Sequence, residues 1–343
     1  MNVLLVKTIR VVGALVLICS SLTAARAETA TSRIVKAANT FLSTLDEKQR
    51  QSLVFAFNDE AQRARWSNFP VAMTPRAGIS LKELNAAQRA AAMALVSSTL
   101  SQKGFEKVQQ IMEGDEVLKA GNGNNPIFGK DLYYLSILGK PSEKDPWMLQ
   151  FGGHHLALNI TIAGERGILT PTLTGAQPAL YTGGGKTVRP LGQESDKALA
   201  LLNALDDSQQ KQAILSYKLA DLVLGPGQDG KTIPPEGLKV SAMNEKQRAM
   251  LLDLISEWAG IIHESAAAAR MAEMKADIAE TWFAWSGPTT AEPGKNITAY
   301  YRIQGPHLVI EYAPQRLGGD PSMHVHTMYR DPTNDYGRGT TAK

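Results

Sequence analysis

Four segments of the chain share one pattern, and this repeat constrains the fold more than any other feature. In each segment an Asp or Asn is followed three residues later by Gln, and apolar residues then recur at helical spacing. An Asp or Asn that accepts from first-turn amides, with a Gln that reaches back, resembles a capping box. The pattern therefore predicts four helices that begin alike. The residues are Asp46 with Gln49, Asn85 with Gln88, Asp206 with Gln209, and Asn244 with Gln247.

The four segments fall into two pairs, and a similar strand-like region follows each pair. LYYLSILGKP and WMLQFGGHHLALNITI follow the first pair, whereas ETWFAWSGP and AYYRIQGPHLVIEYAP follow the second. An ungapped alignment of these regions places His155 on His307 and Asn159 on Glu311. Two amphipathic stretches can always be slid into partial register, but agreement in order, spacing and motif favours an internal duplication.

These regions predict the fold class. Runs of helices beside runs of strands indicate an α+β protein with mostly antiparallel pairing. We predict internally duplicated units of a helix pair plus an antiparallel β-hairpin, which form one pseudo-symmetric globular unit. Residues 28–343 would be a single large domain with related halves at about 28–190 and 191–343. The long helices are predicted at roughly 34–57, 81–112, 197–222 and 244–281.

The first 27 residues have the composition of a cleavable secretory signal. Lys7 and Arg10 precede the apolar core VVGALVLICSSL, and the small residues Ala25 and Ala27 mark a cleavage site. The apolar core is too short for a comfortable membrane span. We therefore predict an exported protein, either periplasmic or secreted. A lipoprotein attached through Cys19 is the alternative.

Removal of residues 1–27 would change the composition in two ways. The single cysteine, Cys19, would be lost, which leaves no disulfide and no thiol chemistry. The number of basic residues would fall from 36 to 33, against 33 acidic ones. A near-neutral chain gives no electrostatic support for binding nucleic acid. No second apolar run approaches the length of a membrane span, and the oligomeric state stays open.

Strand geometry separates the polar residues of the two hairpins by face. Successive side chains of a strand point to opposite faces. In HHLALNI, His154 shares a face with the leucines, whereas His155 and Asn159 share the other face. In PHLVIEY, His307 and Glu311 share the polar face. On an ideal strand His154 would point into the core, unless a bend at the two preceding glycines brings both histidines to one site.

A further element, MHVHTMYRDPTNDYG, adds an H-x-H pair. His324 and His326 would face the same way on a strand, about 6–7 Å apart, and one metal ion can bridge that spacing. With His155 and Glu311 they form a His-rich set with a carboxylate. Such a set suits zinc, copper or non-haem iron better than calcium or magnesium. We therefore predict a transition-metal site with these four ligands, with zinc favoured.

The segment RDPTNDYG has two interpretations. One is a turn-rich cap, since Asp-Pro and Asn-Asp are common in turns. In the other, Arg330 pairs a substrate carboxylate or phosphate, or Asp331, with two hydrogen bonds. Asp335 and Asn159 would then orient a ligand histidine through hydrogen bonds. In that interpretation His154, Arg330 and Asp331 are the candidate catalytic residues, with His154 as a base or an additional ligand.

Three ordered motifs carry a resemblance to a known family. They are W-x-x-x-F-x-G-H-H-L-x-L-N from 147 to 159, Y-R-I-Q-G-P-x-L-x-I-E-Y from 301 to 312, and H-x-H-x-x-Y-R-D-P-x-N-D-Y-G from 324 to 337. Together they resemble the bacterial proteins grouped as domain of unknown function 3500, over most of the mature chain. The resemblance implies that Glu311 and the histidines at 154, 155, 324 and 326 belong to the site. It implies no reaction.

These observations together predict an exported metal-binding protein. A metal-dependent enzyme is the first hypothesis, with hydrolysis of an ester, amide or phosphoester bond as the favoured reaction. Its substrate would be a small molecule or a peptide that the sequence does not identify. The alternatives are a non-catalytic periplasmic metal carrier, and a ligand-binding module in which the histidines form a structural hydrogen-bond network.

Overall fold

A computed structural model describes residues 28–317 and 319–341 and has a mixed α+β fold, as predicted. The predicted signal segment lies outside the described residues. None of the helices in the described ranges is long and apolar enough to cross a bilayer. The helices are α1 Ala30–Ser43, α2 Glu47–Leu53, α3 Glu60–Arg63, α4 Ala86–Thr99, α5 Gln102–Gly121, α6 Gly192–Asn203, α7 Asp207–Ala213, α8 Glu245–Ala259, α9 Glu264–Ala276 and α10 Arg338–Thr341.

Most of the strands form one large sheet. The strands are β1 Val54–Phe55, β2 Ile79–Ser80, β3 Tyr134–Leu138, β4 Trp147–Gly153, β5 Leu156–Ala163, β6 Arg166–Ile168, β7 Thr172–Ala176, β8 Tyr181–Gly183, β9 Lys186–Val188, β10 Leu238–Lys239, β11 Trp282–Ser286, β12 Tyr300–Gly305, β13 Leu308–Pro314 and β14 Val325–Arg330. The main path through the sheet is β1-β3-β4-β5-β7-β14-β13-β12-β11-β10, while β2 pairs with β3 and β6 with β5. The β1–β3 pairing is parallel and the pairings along the rest of the path are antiparallel.

The four predicted capping boxes are all present, at the first residues of α2, α4, α7 and α8. The predicted helix lengths were wrong, because each long helix is broken by a residue that caps a new one. Asp46 separates α1 from α2, and Ser101 begins α5 by accepting from the N–H of Gly104. Asp206 separates α6 from α7, and the Nδ1 of His263 caps α9. The chain after α7 is irregular rather than helical as far as β10.

The capping glutamines also join the helices in pairs. The side chain of Gln49 is hydrogen-bonded to that of Gln88, with the shorter contact at 2.8 Å. Gln209 and Gln247 make the same contact, also at 2.8 Å. Each Gln therefore satisfies its own helix start and fixes the neighbouring helix, a tertiary role that the sequence pattern does not reveal.

The two faces of the sheet are covered differently. The alternate residues Leu156, Leu158 and Ile160 lie in a core with helix residues, and Leu308 and Ile310 lie in a second such core. The predicted apolar faces of both strands are therefore confirmed. The opposite face carries a small cluster that includes Ala157, Leu173 and Met328. It is covered by the long connections 56–78 and 215–237, which contribute Trp66 and Leu222.

The middle of the sheet brings distant parts of the sequence together. β7 pairs with β14, so that Gly175 lies opposite His326. Leu156, the first residue of β5, lies opposite Thr174 on the other side of β7. β5 and β14 both begin at this end of β7, so the residues just before each of the two strands are neighbours. His155, His324 and His326 lie at this end.

Candidate metal centre

His154 and His155 form the tight turn between β4 and β5, since Gly153 pairs directly with Leu156. His155 has a φ of +61°, in the left-handed region that residues other than Gly and Asn rarely adopt. Such strain persists only where the surroundings hold it, and it concentrates at functional sites. Here the N–H of His155 donates to the carbonyl of Asn68 at 3.1 Å, which anchors the turn.

The turn, and not a bend at the preceding glycines, brings both histidines to one site. The two imidazoles are stacked with their centroids 3.7 Å apart. Tyr133 fixes the first of the two, since its hydroxyl donates to the carbonyl of His154 at 2.8 Å. The position of His154 on the core face of a strand, expected for ideal geometry, is therefore wrong, because the residue precedes the strand.

Three buried histidines converge at this point. The Nε2 of His324 lies 3.0 Å from the Nε2 of His155 and 3.1 Å from the Nε2 of His326. One nitrogen from each of the three residues can be chosen so that all lie within 4.8 Å of one another. This cluster could hold a metal ion, as the sequence predicted for these three residues.

A glycine on β7 leaves room for the cluster. A Cβ at Gly175 would lie 3.0 Å from the Cδ2 of His155 and 3.1 Å from the Cδ2 of His326. Both distances are tighter than ordinary carbon contacts. A side chain at this position would therefore displace two of the three imidazoles.

The surroundings keep the three imidazoles neutral. Burial, together with the neighbouring histidines, holds the pKa of His155 well below its usual value. Burial, followed by the proximity of His326, lowers the pKa of His324 to about 4, and burial lowers the pKa of His326. Neutral imidazole is the form that binds a metal.

The tautomer of His324 is fixed by the hydrogen bond that its Nδ1 makes away from the other two imidazoles. Its Nδ1 lies 2.7 Å from the carbonyl oxygen of Leu317, which can only accept. In the neutral ring Nδ1 therefore carries the proton, and Nε2 has a free lone pair that points to the other two rings. His326 has a more distant anionic neighbour, with 3.9 Å between its Nδ1 and Oδ1 of Asp221.

His154 has a different partner from the other three. Its Nδ1 lies 2.6 Å from Oδ1 of Asp115, a residue of α5 that is 2% exposed. The second oxygen, Oδ2, accepts from the N–H of Gly129 at 2.7 Å. This aspartate was missed by the sequence analysis, because nothing in the local sequence of α5 distinguishes it from a surface carboxylate.

The structure does not bring Glu311 to the three histidines. Both of its oxygens accept from the chain: Oε1 from the N–H of Val223 at 2.7 Å, and Oε2 from the N–H of Leu224 at 2.8 Å. Tyr300 also donates to Oε1, at 2.7 Å. The expected face is correct, since β13 pairs Glu311 with Met328. The carboxylate of Glu311 therefore holds the loop that contains Val223 and Leu224.

Arg330 holds the same loop and does not point an unpaired guanidinium at a substrate. It donates to the carbonyls of Leu224 and Gly225, at 2.7 and 3.0 Å. Its other hydrogen bonds are to carboxylates, at 2.8 Å from both Asp229 and Asp335. The expected pairing of Arg330 with Asp331 is therefore wrong. The partner is Asp335, which consequently does not orient a ligand histidine.

The other predicted residues also lie outside the cluster. Asp331 pairs with Arg270 at 2.8 Å. Asn159 is bound to Gln150 and to the carbonyl of Pro171, both at 2.8 Å, and so makes no contact with the imidazoles. His307 is exposed and bonds to Thr333. It lies at the opposite end of β13 from the strand's contact with His326, so its alignment with His155 gives no shared site.

A cleft of about 380 Å³ opens beside the histidines. One wall comes from the connection before β2, with Asn68, Phe69, Pro70 and Met73. The facing wall comes from the connection before β10 and includes the loop that Glu311 and Arg330 hold. The other lining residues are Ile127, Phe128, His154, His155, Gln177, Asp221, Leu222, Gly225, Pro226, Gln228, Gln315, Leu317, His324 and His326.

The sequence profile of one family matches residues 27–338, almost the whole of the chain. The chain belongs to the family described as protein of unknown function (DUF3500). The resemblance to this family is thereby confirmed. Neither the curated proteins nor the solved structures gave a match. For this DUF3500 member, arguments about activity therefore rest on the site itself.

Proposed function

We propose that the protein is an exported, metal-dependent hydrolase whose metal is held by His155, His324 and His326. Zinc is the favoured ion, with copper or iron as alternatives, because three neutral imidazoles suit these ions. When bound with an open coordination position, zinc would acidify a water for attack on a carboxyl or phosphoryl bond.

The observation that carries the proposal is the convergence of three Nε2 atoms. Neutral His324 carries its proton on Nδ1, so its Nε2 offers one lone pair, yet two other Nε2 atoms lie 3.0 and 3.1 Å away. One lone pair cannot accept two good N–H bonds, so in a hydrogen-bond network the Nε2 of His326 would depend on the amide nitrogen of Asn68, which lies 3.3 Å from both nitrogens of that ring. If the three lone pairs are instead directed at one cation, no buried nitrogen lacks a partner. Nitrogens around a tetrahedral zinc are about 3.3 Å apart, close to the 3.0 and 3.1 Å observed for two of the three pairs.

The cleft favours an enzyme over a carrier. A carrier with a closed coordination shell needs no cavity beside the ligands, whereas the histidines here line one of about 380 Å³. His154 lies in the same cleft and is held by Asp115 through Nδ1, which leaves its Nε2 for a substrate or water. We assign His154 the transfer of protons and Asp115 the orientation of its ring. Glu311 and Arg330 position the cleft wall.

Elemental analysis of protein purified after native export tests the proposal. We expect about one equivalent of a transition metal per chain, and its loss in the double variant His324→Ala/His326→Ala. The matched control is His307→Ala, which removes an exposed histidine outside the cluster and should keep the metal. A wild-type protein that carries no metal after incubation with zinc, copper and iron salts would contradict the proposal.

Two further expectations belong to the same proposal. Mass spectrometry of the exported protein should show cleavage after Ala27.

The proposed internal duplication is supported by contacts that recur in both halves. Besides the paired glutamines, the N–H of Leu81 donates to Tyr133 and that of Val240 donates to Thr281, each at 2.8 Å.

A further inference from the structure

We propose that the cleft binds an uncharged substrate through an apolar group, so that the bond to be cleaved is a carboxylic ester or amide and not a phosphoester. This inference rests on the proposed function and names its substrate class. It follows from the side chains of the walls and from the charges that the walls lack.

The walls of the cleft expose large apolar side chains. Within the described residues, the large hydrophobic side chains that are most exposed are Val54, Phe69, Met73, Tyr217 and Leu317. Phe69, Met73 and Leu317, which are 49%, 67% and 79% exposed, all line this one cleft. Single exposed apolar residues need no explanation, but their concentration around a concave site indicates a ligand that covers them.

The apolar surface continues to the base of the cleft. The ring of Phe128 lies 5.1 Å from the ring of His154, centroid to centroid. An apolar group that follows this wall would therefore end next to the imidazoles. The bond to be cleaved must then lie within a few atoms of the apolar group, as in the ester or amide of an aliphatic or aromatic acid.

Cations are missing from the described residues that line the cleft, since none of them is Lys or Arg. Their one charged side chain other than histidine is Asp221, which is anionic. Arg76 lies behind the first wall, but its guanidinium donates to the carbonyls of Ser67 and Phe69 at 2.6 and 2.8 Å. Arg330 is committed to the second wall in the same way. Apart from the metal ion, a phosphate would thus meet no cation that offsets the loss of its hydration, and a remote carboxylate would meet none at all.

The reaction balances without a further reactant. An oxygen of water forms a bond to the carbonyl carbon, and the bond from that carbon to the ester oxygen or amide nitrogen breaks. The attacking water gives one proton to the Nε2 of His154, which passes it to the leaving group, and the second proton of the water stays on the carboxylic acid. The products are a carboxylic acid and an alcohol or amine.

A series of hydroxamates tests the inference by binding alone. Hydroxamate binds zinc through two oxygens, so aceto-, butano- and hexanohydroxamate differ only in the apolar chain. Titrated into zinc-loaded protein by calorimetry, they should bind about fourfold more tightly for each buried methylene. The monohydroxamate of succinic acid, which ends in a carboxylate, should bind at least tenfold more weakly than its neutral counterpart of equal length.

Variants locate the effect in the cleft. Met73→Ser and Leu317→Ser should reduce the gain per methylene, whereas Val54→Ser, which changes an exposed residue outside the cleft, should not. Equal affinity along the series, or tighter binding of the terminal carboxylate, would overturn the inference while the metal centre stands.

If the protein holds no zinc, the proposed function fails. The same comparison is then made in metal-free protein with neutral amides and matched carboxylates, where a preference for longer neutral chains supports the apolar, uncharged ligand of the inference and its absence overturns the inference.

Discussion

The Nδ1 of His154 lies 2.6 Å from the carboxylate of Asp115, while the ring of the same histidine is stacked on His155. Adjacent residues of one turn therefore have separate partners. His155 faces the other histidines, and His154 faces an acid. A carboxylate at Nδ1 fixes the tautomer of the ring, with the proton on Nδ1 and a lone pair on Nε2.

Asp115→Asn should leave the metal in place and impair proton transfer. Without the carboxylate, Nδ1 no longer has an anionic acceptor, so the tautomer with the proton on Nε2 should gain population. Nitrogen NMR of the labelled ring measures this change directly. We expect hydrolysis of any ester that the wild type cleaves to fall by about 10- to 100-fold, with unchanged zinc content. Asp145→Asn, in an exposed loop, is the control; a full rate in Asp115→Asn would make the pair merely structural.

Gly175→Ala should weaken metal binding without unfolding the protein. The new methyl group would lie about 3 Å from carbons of His155 and His326 and would push both rings from their positions. We expect at least a tenfold loss of zinc affinity, measured by competition with a chelating dye, and an unchanged circular dichroism spectrum. Gly121→Ala, at a glycine with no atoms within 4 Å of the added carbon, is the matched control. Equal zinc affinities of the two variants would contradict the role of Gly175.

Glu311→Gln distinguishes two possible roles of Glu311, as a metal ligand or as an acceptor that holds a loop. The amide keeps one acceptor oxygen but brings an N–H₂ group against a backbone N–H. One of the donors of Val223 and Leu224 then loses its acceptor, and the free energy of unfolding should fall by about 2 kcal/mol. Urea denaturation measures this loss, and Glu280→Gln, on the surface, should show none of it. Zinc content should be unchanged; its disappearance would restore Glu311 as a ligand.

The pH dependence of stability should contain a contribution from His263. Burial lowers the pKa of this histidine, an effect that outweighs the nearby carboxylates of Glu264 and Glu165 and is reinforced by Arg33. Its Nδ1 caps α9 by accepting from Ala266, which requires the neutral ring. Since the folded-state pKa lies below the unfolded value of 6.5, the stabilisation is present above about pH 6.5 and is lost as the pH falls.

His263→Asn tests this contribution. Asn is as good a cap as any residue but does not titrate in this range. Urea denaturation of both metal-free proteins at pH 7.5 and 5.5 should show that the wild type loses more stability on acidification than the variant does. Because both proteins keep the other histidines, the difference between them isolates residue 263. Parallel losses would show that its protonation is not linked to folding.

The sequence predicted what local patterns determine. Capping boxes at Asp46, Asn85, Asp206 and Asn244 depend on residues three apart, and the apolar faces of β5 and β13 depend on alternation. Both were confirmed, as was the convergence of three histidines. His324 and His326 are linked by spacing, whereas His155 reaches the site from the turn that precedes β5 and not from a face of the strand.

The rest depends on contacts that no local pattern encodes. Glu311 has the expected face, but which neighbour takes its carboxylate is decided by a loop almost 90 residues earlier in the chain. Asp115 reaches His154 only because α5 packs behind the turn. The left-handed conformation of His155 was missed for the opposite reason: the sequence there suggests a strand, and the hairpin makes its turn with the two histidines themselves.

The cluster also has a mechanical consequence. His155 and His324 are 169 residues apart, and they immediately precede β5 and β14, the strands on either side of β7. An ion held by both would close a very long loop, and closing such a loop removes conformational freedom from the unfolded chain. In the chain that the proposed signal cleavage would leave, which has no cysteine, that ion would be a crosslink with the role that a disulfide has in other proteins. Chelation should then shorten the lifetime of the protein towards proteases as well as remove its chemistry.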